Sequence, residues 1–261
     1  MESIQVRTAD GVRLAATHVT RTGPGDDGLA VVVAHGFTVS LQRPSLQRVM
    51  ARFARRAGVV GVDFRGHGRS EGATTAGDRE VLDLDAAVGL ARELGYRRVA
   101  TVGFSMGGAV VLRHAARASA SGGLVPRQPV DAVVAVSAPS RWYIRETRPM
   151  RRVHWLLETP AGHWFAARAL KVRIGGVWGV PPEWPLKAIP RIEVPLLVVH
   201  GDRDRYFGVE HGRALAAARP GTEYWELAGF GHAEGPLTPA QVDRIAAWVV
   251  ESAGTPGTMR R

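Results

Sequence analysis

Short, nearly unbroken apolar runs alternate along this chain with stretches of helical spacing, and few folds accept that rhythm. The runs are Leu29–Ala34, Val59–Val62, Val99–Val102, Ala132–Val136 and Val194–Val199, all rich in valine. A strand with one wet face alternates apolar and polar residues, whereas a strand covered on both faces does not. Between the runs lie Ser45–Ala57, Glu80–Leu94 and Met106–Ala118, whose apolar positions recur at helical spacing. This pattern predicts an α/β fold with a mostly parallel central sheet flanked by helices. Two strands are expected before the first run, Ser3–Thr8 and Arg13–Val19, joined at Ala9-Asp10-Gly11, which has hairpin turn chemistry. After the last run the spacing predicts helices over Glu210–Ala218 and Pro239–Glu251, with a strand over Thr222–Leu227 between them. At 261 residues the chain is expected to form a single domain.

One segment breaks the rhythm. From Pro139 to Ile192 no strand of suitable length is expected, and five of the seven tryptophans fall here: Trp142, Trp155, Trp164, Trp178 and Trp184. Roughly 50 residues is close to the lower limit for a self-sufficient core, so the segment reads as an insertion between two sheet strands. Its aromatic residues either line an apolar pocket or pack the insertion onto the body.

Composition excludes several chemistries. With no cysteine, disulfides, thiolate metal sites and cysteine nucleophiles are ruled out. No His and carboxylate cluster has metal-ligand spacing, so neither metal nor cofactor is expected. The net charge is +10, and all but two of the 34 basic residues are arginine. Arginine, alanine and glycine share GC-rich codons, and the arginines are scattered, so compositional bias accounts for the charge. No nucleic-acid recognition motif accompanies them, and no nucleic-acid partner is expected. No apolar run approaches the ~18 residues of a membrane span. The first residues show no basic region followed by an apolar run, so a soluble, cytoplasmic protein is the expectation.

The segment Gly103-Phe104-Ser105-Met106-Gly107-Gly108 carries the chemistry. Gly-x-Ser-x-Gly is common by chance in a chain with 31 glycines, but here it directly follows one apolar run and opens a helical stretch. A serine nucleophile belongs on such a strand-to-helix turn, where its hydroxyl projects past the sheet edge and glycines on either side let the backbone close around it. A tetrahedral oxyanion then needs two donors. One is the N–H after the nucleophile, at Met106, and the other is expected from Phe37 in His35-Gly36-Phe37, which ends an earlier strand. His35 precedes the serine and is read as structural rather than as a base.

Five segments together resemble the α/β-hydrolase family, in the family's order and across nearly the whole chain. They are His35-Gly36-Phe37, Asp63-Phe64-Arg65-Gly66-His67-Gly68-Arg69-Ser70, Gly103 to Gly108, His200-Gly201-Asp202-Arg203-Asp204, and Gly231-His232. The resemblance implies the α/β-hydrolase fold, with Ser105 as nucleophile, Asp204 as acid and His232 as base. It makes the segment from Asp63 to Ser70 a structural loop, with no catalytic role for His67, and the insertion at 139–192 the family's cap. Asp202 also follows the strand. The family spacing from His200-Gly201 favours Asp204, and Asp202 suits turn chemistry at a strand end. One departure is visible: the family often has proline shortly after the acid, where this chain reads Arg205-Tyr206-Phe207-Gly208. Serine at 105 argues against the dehalogenase and epoxide-hydrolase branches, which use aspartate there. The implied activity is hydrolysis of a carboxylic ester with a lipophilic part, and the small size of the insertion, roughly 50 residues, points to short to medium acyl length. Thioesterase, amidase, carbon–carbon hydrolase and haloperoxidase or perhydrolase chemistry use the same triad. A non-catalytic ligand-binding protein is the reading of another class.

Overall fold

In a computed structural model of the chain, residues 2–118, 120, 122–176 and 181–254 are described. Trp178 lies outside them. Eight strands form one sheet in the order β1-β2-β4-β3-β5-β6-β7-β8. They are β1 (Glu2–Arg7), β2 (Arg13–Val19), β3 (Leu29–Ala34), β4 (Gly58–Val62), β5 (Arg98–Phe104), β6 (Ala132–Val136), β7 (Leu196–Gly201) and β8 (Glu223–Leu227). Strand β2 runs antiparallel to β1 and β4, and all other pairs are parallel. This is the mostly parallel, helix-flanked sheet that the sequence implied.

The valine-rich runs are explained by what covers them. Alternate residues of β3 enter two different cores: Ala30, Val32 and Ala34 one, Leu29, Val31 and Val33 the other. Helices α2 (Glu80–Glu93) and α3 (Met106–Ala115) cover the first face through Val81, Leu84, Val110 and Leu112. Helices α1 (Pro44–Phe53) and α8 (Pro239–Gly254) cover the second through Leu46, Phe53, Ile245 and Val249.

Three expected boundaries are corrected. Helix α1 stops at Phe53 instead of Ala57, because Arg55 and Arg56 N–H groups turn back to Arg52 and Phe53 carbonyls before β4 begins. Helix α3 stops at Ala115 instead of Ala118, where Arg117 takes φ 53° and ends the helix. Strand β7 begins at Leu196 rather than Val194, since Pro195 has no N–H to give the ladder. It then continues through His200 and Gly201.

Between β6 and β7 the described residues form no strand. Thr147 starts α4 (Arg148–Glu158), its hydroxyl accepting from the Met150 N–H. Thr159 sits between α4 and α5 (Pro160–Phe165) and serves both: it donates to the Trp155 carbonyl and accepts from the Gly162 N–H. A Cβ on Gly162 would fall 2.2 Å from the Trp155 oxygen, so only glycine lets the two helices meet there. A π-helical turn, Ala166–Leu170, and α6 (Pro185–Ala188) follow, and α7 (Val209–Ala217) packs on β7 and β8.

The loop after β4 ties the sheet to its flanks. Arg65, 3% exposed, bonds both Asp83 of α2 and Asp10 of the β1–β2 turn. Removing one member of a buried ion cluster leaves the others uncompensated. Arg65→Met should therefore lower the unfolding free energy by about 3–5 kcal/mol in urea titration. Arg13→Met, which breaks only an exposed pair with Glu71, should leave the midpoint nearly unchanged. Equal effects from the two variants would contradict this account.

Candidate active site

Strand order reverses between β3 and β5, and in open α/β sheets the crevice at such a reversal is where ligands bind. Ala34 pairs with Gly103 across it, so the residues that follow each strand meet. Ser105 takes the turn from β5 into α3 at φ 54°, ψ −117°, a conformation a non-glycine residue adopts only under restraint. Its N–H donates to the Val136 carbonyl at 2.9 Å. Its neighbours leave no room: a Cβ on Gly103 would sit 2.1 Å from the Gly107 oxygen, and one on Gly107 2.2 Å from the Ala34 oxygen.

The structure brings Ser105, His232 and Asp204 into one hydrogen-bonded line. Ser105 Oγ lies 2.9 Å from His232 Nε2, and His232 Nδ1 lies 2.7 Å from Asp204 Oδ2. The Asp204 carboxylate is fully buried and its other oxygen accepts from the Tyr206 and Phe207 N–H groups at 2.8 and 3.1 Å. Burial alone would raise its pKa; the bond from His232 and those two N–H groups outweigh this and hold the carboxyl below its usual range. Those bonds fix the loop in which proline is missing.

Asp202 stands apart. It is exposed, and its Oδ1 accepts from the Gly229 N–H at 2.7 Å, tying the β7 loop to the loop that carries His232. His200 sits behind the acid, its Nε2 donating to the Phe207 carbonyl at 3.1 Å, and burial lowers its pKa.

The histidine of the first loop has a clear local task. His35 is completely buried, its Nδ1 donates to the Gly36 carbonyl at 2.7 Å, and its Nε2 accepts from the Phe64 N–H at 3.0 Å. That bonding needs a neutral ring, and burial, with His67 nearby, pushes its pKa down to about 3. Across a trans peptide the C=O and N–H point opposite ways. Holding the Gly36 carbonyl back therefore turns the Phe37 N–H away from the core. His67 Nε2 donates to the Phe37 carbonyl, which fixes the next peptide as well.

Gly36, Phe37, Ser105, Met106 and His232 open on a cavity of about 320 Å³. Trp142, Ile144, Met150, Val153, Leu156 and Leu157 supply its far wall from the inserted segment. The tryptophans divide between the expected pocket lining and exposure. Trp142 lines the cavity, but Trp155, Trp164 and Trp184 are exposed at the surface. Sequence reading missed Tyr206 and Phe207, which enclose the His232 ring at centroid distances of 4.3 and 5.3 Å. The one available signal was their place directly after Asp204. His154 was missed too: it lines the cavity, with Nδ1 2.6 Å from Glu158. Among the described residues no three His, Asp or Glu side chains are grouped to hold a metal ion.

Comparison with known proteins agrees with this fold. Residues 31–248 match the model of the alpha/beta hydrolase family. A non-heme chloroperoxidase of Streptomyces lividans is 25% identical over 239 residues, 77% of this chain and 82% of that protein. Among solved structures, an esterase of Pyrococcus furiosus superposes with a TM-score of 0.73 at 22% identity, covering 97% of this chain and 91% of that one. An esterase of a Rhodococcus species superposes at 0.68 and 20% identity, covering 98% and 100%.

The buried neutral His35 gives a signed expectation. Below its ordinary pKa of 6.5 the unfolded chain binds a proton that the folded chain refuses. The stability it contributes is thus full above about pH 6.5 and is lost at up to about 1.4 kcal/mol per pH unit as pH falls toward 3. Urea unfolding of the wild type and His35→Asn should show a stability gap that shrinks between about pH 7 and pH 5. A gap that stays constant would show that the ring is not held neutral.

Proposed function

We propose that this chain, which belongs to the alpha/beta hydrolase family, hydrolyses small carboxylic esters through an acyl-enzyme formed on Ser105. The observation that carries the reading is the unbroken line from Ser105 Oγ to His232 Nε2 and from His232 Nδ1 to Asp204. His232 takes the Ser105 proton as Oγ attacks the ester carbonyl, and then gives it to the departing alkoxide. Asp204 holds the ring in the tautomer that keeps Nε2 bare and stabilises the imidazolium while it lasts. The N–H groups of Phe37 and Met106 receive the oxyanion. Water, activated by the same histidine, releases the acid and restores Ser105.

Substrate size follows from the cavity. At about 320 Å³ with a largely apolar wall, it suits short to medium lipophilic acyl groups. The insertion supplies the wall of the cavity that faces the serine. The likeness to the chloroperoxidase favours a second reaction from the same intermediate. Hydrogen peroxide in place of water would attack the acyl carbonyl, break the bond to Ser105 and leave as a peracid able to oxidise halide.

A panel of p-nitrophenyl esters of graded chain length tests the reading. Short and medium esters should be preferred, and Ser105→Ala should lose on the order of 10⁶ in kcat with the fold intact. Asp204→Asn should lose up to ~10⁴, because an amide favours the wrong histidine tautomer. Asp202→Asn should keep its kcat and melt slightly earlier. A folded but inactive Asp202→Asn would move the acid to Asp202, and a Ser105→Ala protein with more than about a tenth of wild-type activity would move the nucleophile elsewhere.

A further inference from the structure

The inserted helices have two faces, and only one is accounted for. The inner face of α4 carries Met150, Val153, Leu156 and Leu157 into the cavity. The outer surface of α4, α5 and the π-turn presents Trp155, 44% exposed, Trp164, 64% exposed, and Phe165, 42% exposed. A side chain as large as tryptophan rarely sits this far into water without a partner surface. Cations surround these rings. Arg148, Arg151, Arg168 and Lys171 are all exposed, and Arg168 lies over the Trp164 ring at 5.9 Å. Between Arg148 and Lys171 the sequence has one carboxylate, Glu158, and Arg145 and His154 already engage it. Arg148, Arg168 and Lys171 have no carboxylate partner among the described residues. The basic charge that looks scattered in the sequence is therefore locally uncompensated here, mixed with aromatic rings.

We infer that this outer face docks on an anionic phospholipid surface. Tryptophan and phenylalanine settle at the boundary between headgroups and acyl chains, and arginine and lysine are drawn to anionic headgroups. The two are interleaved on this surface as such a boundary requires. A second copy of the chain fits poorly. A twofold contact would set these cations against themselves with almost no acid to neutralise them. Attachment would be peripheral, since no helix among the described residues is long and apolar enough to cross a membrane. Because α4 separates the docking face from the cavity by one helix thickness, a docked molecule would hold its cavity beside the lipid.

The inference goes beyond the ester-hydrolase reading and stands without it: Ser105→Ala protein should bind vesicles as the wild type does. The test is co-sedimentation of the full chain with phosphatidylcholine vesicles, with and without phosphatidylglycerol. Binding is expected only to vesicles that contain phosphatidylglycerol, and it should weaken as salt is raised. Arg148→Glu with Arg168→Glu should weaken it about tenfold or more. Trp164→Ser should weaken it as well. None of these residues lines the cavity, so activity on a soluble ester and the melting point should be unchanged, which controls for folding. Arg97→Glu with Arg127→Glu makes the same change in net charge; both arginines are exposed, and they flank the N-terminal ends of β5 and β6, opposite the site. It should bind nearly as wild type. Equal loss from the two charge-reversed pairs would overturn the inference in favour of diffuse attraction by net charge. Absence of binding would overturn it outright. Concentration-dependent dimers that Trp164→Ser abolishes would assign the face to a second copy instead.

Discussion

At the end of β5 the chain must turn from strand to helix at a single residue, and that residue must expose its side chain. Ser105 meets the demand at φ 54°, in backbone space that costs a non-glycine residue of order 1–3 kcal/mol. The strain persists because everything around it is closed. Gly103 and Gly107 let the chain pass within contact of itself and of β3, and Val136 of the next strand accepts the Ser105 N–H. The sheet order sets the same constraint from a distance. With β3 and β5 adjacent and their crossovers running opposite ways, the loops that follow them are forced together at one edge. The position of the hydroxyl is thus a property of the whole sheet.

Electrostatics around that hydroxyl are arranged by burial and by backbone donors. Asp204 is sealed from water yet kept ionised by His232 and two N–H groups of its own loop. His35 is sealed from water and kept neutral, so that it can donate on one side and accept on the other. Of two buried titratable groups, one is therefore held charged and the other uncharged, for different ends. One orients an imidazole, and the other orients a peptide group. His67 and the loop from Asp63 to Ser70 brace the second arrangement, so a segment without a reacting atom still bears on the site.

The parallel sheet was legible because a strand buried on two faces leaves an apolar run that no turn or exposed helix would keep. The strand-to-helix turn at Ser105 was legible because only glycine fits at 103 and 107. Asp204 and His232 could be placed only through resemblance. A lone aspartate and a lone histidine in loops carry no local signal of the partner they will meet some 30 residues away. Boundaries failed where a single residue decides them, as with the left-handed Arg117 and with Pro195. The inserted segment was the least legible. Its tryptophans were expected indoors because they are large and apolar, but the spacing of α4 gives the inner face to Met150, Val153, Leu156 and Leu157 and leaves Trp155 outside. Tyr206 and Phe207 were missed because ring packing on a histidine depends on how a loop folds back, which no period in the sequence records.

The proposed chemistry rests on one serine, poised by fold-wide constraint, as the nucleophile. A fluorophosphonate probe with tryptic mapping tests it most directly. Cleavage after Arg98 and Arg113 releases the segment from Val99 to Arg113, in which Ser105 is the sole serine. A stoichiometric adduct is expected on that peptide alone, at Ser105, formed in folded protein and lost on denaturation before labelling. An adduct on any other peptide, or none in a protein that hydrolyses esters, would contradict it.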